Sequence, residues 1–269
     1  MGMAAKRSTK MIDSHMHLNQ REYDEDRPAL VEKWKAAGLK AVISNSVALN
    51  TFEKGLKIQA RWPDFVFTTA SIHPEYIKEV NAEQIDAFFE KLRAHSNEIV
   101  GIGEAGLDHF NVKEPEWQTK QKELFIRFIA LSRELDKPLV VHTREAHEET
   151  VDLLEEQGVK RAHLHLWSSR GLITRVIDNG WLVSLGPLIM QSKSIQKIAK
   201  DMPLEQILLE TDSPWFGGKG ADGKPLRGEP TNIRPVAEKV AEIKGLSFDE
   251  VWLQCGRNAV SLYGLPVKL

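Results

Sequence analysis

The sequence predicts a parallel (β/α)8 barrel, and three observations carry that expectation. Short apolar, β-rich runs alternate with longer amphipathic ones eight times along 269 residues. The strand-like runs are continuously apolar, as in a parallel sheet covered on both faces, and do not alternate as half-solvated strands do. Eight such βα units in about 250 residues match the size of one closed barrel. The first strand is not followed by the GxGxxG turn of a doubly wound nucleotide-binding sheet, which makes that open-sheet alternative the weaker one.

The elements read in order as follows. MIDSHMHL (11–18) leads into a helix over 27–38, with Gly38 as its stop. LKAVISNS (39–46) precedes a helix over 51–62, FVFTTASIHP (65–74) a helix over 82–95, and EIVGIGEAGLD (98–108) a long helix over 116–136. KPLVVHTR (137–144), KRAHLHLW (160–167) and GWLVSLGP (180–187) are each followed by a helix, over 147–158, 171–180 and 194–202. EQILLETDSP (205–214) closes the series before helices over 230–245 and 247–264, the last of which closes the barrel. The Gly- and Pro-rich stretch 217–230 reads as a loop. Residues 11–269 are expected to form a single domain. The opening MGMAAKRSTK (1–10) is short and basic, has no apolar core of a secretory signal, and reads as a frayed or exogenous end.

Composition narrows the function classes. A formal net charge of −2 with 28% charged residues gives no overall field favouring polyanions or membranes, although a local cationic site can sit within a neutral total. No apolar run approaches the roughly 18 residues of a membrane-spanning helix. Cys255 is the only cysteine, so no intrachain disulfide can form and a reducing, cytoplasmic location is expected. Cys255 itself reads as a core residue of the last helix.

In such barrels the chemistry sits at the C-terminal ends of the strands. Those ends carry His15 and His17, His73, Glu104, His142 with Arg144, His163 and His165, and Asp212, which includes most of the nine histidines in the chain. His15 and His17, two apart on a strand, share one face, and Asp13 is expected on it too. Imidazoles and carboxylates converging without a metal would be costly to desolvate. A histidine and carboxylate set with no thiolate suits zinc, manganese, iron or cobalt, while oxygen-rich sites suit magnesium. More than four candidates leave room for two divalent ions that activate a water for hydrolysis. Glu104, on a central strand, is placed to bridge them, and Asp212 to bind metal and take the proton of the water.

The ordered motifs DSHMH (13–17), IHP (72–74), GEAGLD (103–108), VHTR (141–144), HLWSS (165–169), ETDSP (210–214), PTNI (230–233) and GRNA (256–259) span nearly the whole chain. Together they resemble the TatD-type metal-dependent deoxyribonucleases, a branch of the amidohydrolase superfamily. The resemblance implies a barrel with two divalent ions (magnesium, manganese or zinc). It assigns His15 and His17 to one ion, completed by Asp212, with Glu104 bridging, and His142 and His165 to the other. It places His73 and Arg144 near the substrate phosphate, where the planar fork of Arg144 can pair bidentately. The implied substrate is DNA, single-stranded or at its 3′ ends.

Departures from the family pattern lie around the substrate pocket. HLWSS has Ser169 where the family usually has glycine, RGEP (227–230) has Gly228 in place of asparagine, and His109 follows GLD as an extra polar wall residue. His163 reads as a core histidine, and His95 and His147 as solvated helix residues. Asp108 reads equally as a site residue or a turn residue, and Trp215 equally as a base-stacking platform or a packing lid. Lys193, Lys219, Lys224 and Arg227 lie in or near the loops after strands 7 and 8, and read equally as a set favouring a phosphate substrate or as solvated loop residues. A carbonyl substrate, as in amide, lactone or ester hydrolases of the superfamily, is the alternative. A non-enzymatic metal-binding scaffold is the remote one, disfavoured because every ligand position is filled.

Overall fold

The computed structural model describes residues 11–220 and 222–269; the expectation for residues 1–10 lies outside them. Eight parallel strands form one sheet in chain order: β1 (Met11–Met16), β2 (Leu39–Ser46), β3 (Val66–Ala70), β4 (Ile99–Asp108), β5 (Leu139–Arg144), β6 (Ala162–Leu164), β7 (Leu182–Leu185) and β8 (Ile207–Leu209). The helices between them are α1 (Arg27–Ala36), α2 (Leu49–Arg61), α3 (Ala82–Ala94), α4 (Pro115–Glu134), α5 (His147–Glu156), α6 (Ile173–Asp178) and α7 (Lys193–Asp201). After β8 come α8 (Ile233–Lys244) and α9 (Phe248–Tyr263). The barrel closes where the segment after β8 meets β1. The Asp212 N–H donates to the His15 carbonyl at 3.0 Å, and the His17 N–H donates to the Ser213 carbonyl at 2.7 Å. The Ser14 hydroxyl donates to the Leu209 carbonyl at 2.9 Å.

Local chemistry explains the helix starts. Asn81 caps α3, accepting from the Gln84 N–H at 2.9 Å while the Gln84 side chain accepts from the Asn81 N–H at 3.0 Å. Ser247 and Glu250 do the same at α9, and Pro115 opens α4, where its missing N–H is harmless. The expected strand over 160–167 shortens to Ala162–Leu164, and that over 205–214 to Ile207–Leu209. In both places the backbone leaves the extended region to turn side chains into the barrel mouth: Leu166 has φ 42° and Asp212 φ 52°.

The main core lies between the outer face of the sheet and the helices, around Trp34, Phe52, Phe125, Phe128 and Trp181. A second cluster fills the barrel interior: Ile12, Ile43, Phe67, Val140 and Leu208, against Leu262, Tyr263 and Leu265 at the end of α9. The long β4 approaches β5 closely because two of its residues have no side chain. A Cβ on Gly103 (φ 141°) would lie 2.3 Å from the Val140 carbonyl, and one on Gly106 (φ 153°) 1.9 Å from that of His142. Those two glycines of GEAGLD let the strand carrying Glu104 sit against the strand carrying His142. Among the described residues, no helix is long and apolar enough to cross a membrane.

Asn258, buried in α9, donates to the carbonyls of Leu204 and Ile207, each at 2.8 Å, and so ties the closing helix to the start of β8. Replacing Asn258 with Ala strands both acceptors and is expected to cost about 1–3 kcal/mol in urea unfolding followed by circular dichroism. A loss below about 0.5 kcal/mol, within the range of an ordinary surface change, would contradict that coupling.

Candidate active site

The strand ends deliver a buried cluster at the C-terminal mouth. Glu104 stands at its centre. Its Oε2 lies 3.2 Å from His15 Nε2 and 3.7 Å from His17 Nε2. Its Oε1 lies 2.8 Å from His142 Nδ1, 3.4 Å from His73 Nε2 and 3.6 Å from His165 Nε2. Asp212 joins from the segment after β8, with Oδ1 3.1 Å from His17 Nε2 and 3.8 Å from His15 Nε2.

Outer partners hold these side chains in place. His17 Nδ1 lies 3.2 Å from the Asn45 carbonyl. His142 Nε2 lies 2.9 Å from Asp108 Oδ2, and Asp108 in turn accepts from the Asn111 N–H at 2.7 Å. His165 Nδ1 lies 2.8 Å from Glu210 Oε2, while Glu210 Oε1 accepts from the Leu166 N–H, also at 2.8 Å. The Ser71 hydroxyl donates to the Glu104 carbonyl at 2.5 Å.

The electrostatics follow from burial opposed by contact. Burial would raise the Glu104 carboxyl, yet the surrounding histidines, His165 and His15 foremost, hold it well below its ordinary value. Burial works against charge on His142, but Asp108 and Glu104 outweigh it and push its pKa up to about 9. Glu210 and Glu104 likewise push His165 up to about 10 against its burial. His15 goes the other way: burial, followed by the neighbouring His165, holds it well below its ordinary value. Asp108 falls to about 2, because His142 and Asn111 overcome the cost of its burial.

Sequence reasoning and structure differ at several residues. Asp13 does not share the ligand face. A register shift in β1 after Asp13 breaks the two-residue alternation, and its carboxylate accepts from the Thr211 N–H at 3.1 Å. His163 stays outside the cluster, with Nδ1 2.6 Å from the Tyr263 hydroxyl. His147, expected to be solvated, instead lines the cavity, with Nε2 3.0 Å from the Ser168 hydroxyl. His109 lies beside Glu149, 3.7 Å away, on a neighbouring groove. Arg227 points away from the site, paired with both oxygens of Asp26 at 2.8 and 2.7 Å, and Lys193, Lys219 and Lys224 do not line the cavity. Glu210 was missed, although it stands in ETDSP two residues from Asp212.

Above the cluster opens a cavity of about 590 Å³, whose walls include His73, Arg144, His147, Leu188, Trp215 and Phe216. The Arg144 guanidinium lies over the Phe110 ring, 3.8 Å from its centroid, and among the described residues it makes no ion pair. Trp215 lines this cavity and is 47% exposed.

The residues fit divalent cations. His15 is fully buried, yet among the described residues its Nδ1 has no hydrogen-bond partner, and its Nε2 faces only the carboxylates of Glu104 and Asp212. Such an orphan is rare unless another group fills the need. The donor atoms of His15, His17 and Asp212 lie within 4.8 Å of one another, and so do those of His73, Glu104 and His142, and of His15, His165 and Glu210. Imidazole and carboxylate donors without thiolate suit first-row divalent metals.

A closed (β/α)8 barrel with such donors converging at its C-terminal mouth is the architecture of a metal-dependent hydrolase. The chain belongs to the TatD-related DNase family, whose model matches residues 12–264. It is 32% identical over 263 residues to the human (Homo sapiens) deoxyribonuclease TATDN3, covering 94% of each chain. It is 29% identical to the 3′-5′ ssDNA/RNA exonuclease TatD of Erwinia amylovora, covering 95% of this chain and all of that one. Its fold matches the crystal structure of a TatD family hydrolase from Entamoeba histolytica with a TM-score of 0.84 at 22% identity, covering 95% and 98% of the two chains.

Glu210→Gln keeps the shape of the side chain but removes the charge facing His165 Nδ1. Divalent-metal affinity, measured by competition with a chromophoric chelator, is expected to fall about 10–100-fold. Unchanged affinity would contradict the bracing role of Glu210.

Proposed function

We propose that this chain is a metal-dependent phosphodiesterase that cleaves DNA, preferring single strands entered from a 3′ end, and that it acts in the cytoplasm. The observation that carries the reading is one cavity in which Glu104, His17, His73, His142, His165 and Asp212 line the same walls as Arg144 and Trp215. Among carbonyl and phosphoryl substrates, a phosphodiester gains more from an unpaired guanidinium beside the carboxylate cluster, because that planar fork matches phosphate oxygens. The names of the relatives, a deoxyribonuclease and a single-strand exonuclease, support the substrate class. The location rests on Cys255, a buried free thiol and the only cysteine of the chain.

His15, His17 and Asp212 would hold one divalent ion, His142 and His165 a second, and Glu104 would bridge the two. Ions bound there supply Lewis-acid polarisation of a phosphoryl oxygen and a lowered pKa for the attacking water. The chain supplies the remainder. Asp212 would take a proton from the attacking water as the water oxygen bonds to phosphorus and the P–O bond to the leaving sugar oxygen breaks, that oxygen taking up a proton from solvent. Arg144 grips a non-bridging phosphate oxygen pair, and His73, held by the Glu75 N–H donating to its Nδ1 at 3.3 Å, lies near the same phosphate in the cavity wall. Trp215 offers its exposed face to the terminal base. An extended single strand can place one nucleotide in this cavity, whereas bases in a duplex stay stacked and paired.

Three variants divide these roles in an assay on end-labelled single-stranded DNA with metal added back to stripped protein. Asp212→Asn is expected to lower kcat by about 10²–10⁴-fold. Trp215→Ala should raise KM by about 5–150-fold, the equivalent of one stacked base, with kcat little changed. Arg144→Ala should lower kcat/KM more on DNA than on a p-nitrophenyl ester. Full cleavage of DNA by the metal-loaded Asp212→Asn variant would sink the assignment of the base, and no cleavage by the metal-loaded wild type would sink the nuclease reading.

A further inference from the structure

Two buried polar side chains near the carboxylate cluster, His163 and Tyr263, have no part in catalysis as outlined above. His163 sits on β6, completely buried, with Nδ1 2.6 Å from the hydroxyl of Tyr263. Tyr263 is the last residue of α9 and packs into the lower interior cluster. The His163 ring lies edge-on to that of His15, with centroids 6.1 Å apart and planes at 84°. Among the described residues, His163 Nε2 has no hydrogen-bond partner, and neither has His15 Nδ1. Each of these two imidazoles thus has a buried nitrogen without a partner, which costs its desolvation unless another group meets it.

The position of His15 shows what the second nitrogen must do. Its Nε2 faces Glu104 Oε2 at 3.2 Å, so Nε2 is the atom turned toward the ligand cluster and Nδ1 is turned away from it. A histidine that binds metal through one nitrogen carries its proton on the other and donates it to a fixed acceptor, which sets tautomer and ring orientation. His17, His142 and His165 have such a partner in the Asn45 carbonyl, Asp108 or Glu104, and Glu210. His15 has none within direct reach.

We infer that His163 and Tyr263 are positioning residues for His15, acting through one buried water held between the two imidazoles. His15 Nδ1–H donates to that water, the water donates to His163 Nε2, and His163 Nδ1–H donates to the Tyr263 oxygen. The chain of donors holds His15 in the Nδ1–H form and leaves the Nε2 lone pair free for a metal. Each of the two unpartnered nitrogens would give such a water one partner, and two is the least that a buried water takes. The closing helix thereby becomes part of the support of the metal site. The inference rests on the reading of His15 as a metal ligand.

The test compares wild type with His163→Leu, His163→Gln and Tyr263→Phe in two ways. Stepwise manganese or zinc affinity is measured against a chromophoric chelator, and ring nitrogen resonances are recorded by NMR on metal-free protein. His163→Leu is expected to weaken one metal equivalent by about 10–100-fold and leave the other unchanged. The glutamine variant, whose amide can still accept from the water, should stay close to wild type. The His15 resonances should show one Nδ1–H tautomer in wild type and a mixture in His163→Leu. If the leucine variant does not fold, Tyr263→Phe, which removes a single oxygen, carries the test with a smaller loss in the same metal equivalent. Wild-type affinity for both equivalents in the folded variants, or an unchanged His15 tautomer, would overturn the inference. Wild-type protein that binds no divalent metal would instead overturn the metal reading on which it rests.

Discussion

Five histidines reach one carboxylate. Glu104 lies within 3.7 Å of ring nitrogens of His15, His17, His73, His142 and His165, on strands or strand ends from both halves of the barrel. Much of the rest of the structure serves that convergence. Gly103 and Gly106 let β4 press against β5, so that Glu104 and His142 meet at 2.8 Å. The positive φ of Asp212 turns its carboxylate back over β1, where it meets His17. Closure of the barrel then fixes His15, His17 and Asp212 in one frame, because the backbone bonds joining β1 to the segment after β8 run between those same residues and Ser213.

Such a cluster is a liability for the fold. Imidazoles and carboxylates this deeply buried lose hydration that ion pairing only partly restores. The outer partners reduce the cost by giving most ligand candidates a second contact: Asn45 for His17, Asp108 for His142, Glu210 for His165. These partners also fix which nitrogen faces the cluster, so the groups that limit the desolvation cost are the ones that orient the donors. The apolar packing around the helices bears the remaining burden, with Trp34, Phe52, Phe125 and Trp181 fully buried.

The barrel was legible because eight apolar runs followed by amphipathic ones leave few topologies, and the resulting order is β1 to β8 without a crossover. The inward-facing histidines were legible from strand parity, as at His15 and His17. What parity could not show is where the backbone abandons it. The shift in β1 sends Asp13 to Thr211 and not to the ligand cluster. Local pattern also misassigned His147, since a polar residue at the start of a helix looks solvated until the loop carrying Ser168 folds over it. Charge in a loop misled in the opposite direction at Arg227, whose partner Asp26 lies 201 residues away. Glu210 could not be found by parity, because β8 ends at Leu209 and the backbone turns at Asp212; only its place in ETDSP, two residues from that ligand candidate, pointed to it.

The central claim is that Glu104 organises a site for two divalent ions. Anomalous diffraction from crystals of the manganese- or zinc-loaded protein tests it most directly. The account predicts two anomalous peaks flanking the Glu104 carboxylate, one among His15, His17 and Asp212 and the other beside His142 and His165. It also predicts that Glu104→Ala crystals grown at the same metal concentration lose both. A folded, metal-soaked protein with no peak in the cluster, or with both peaks intact in Glu104→Ala, would contradict it.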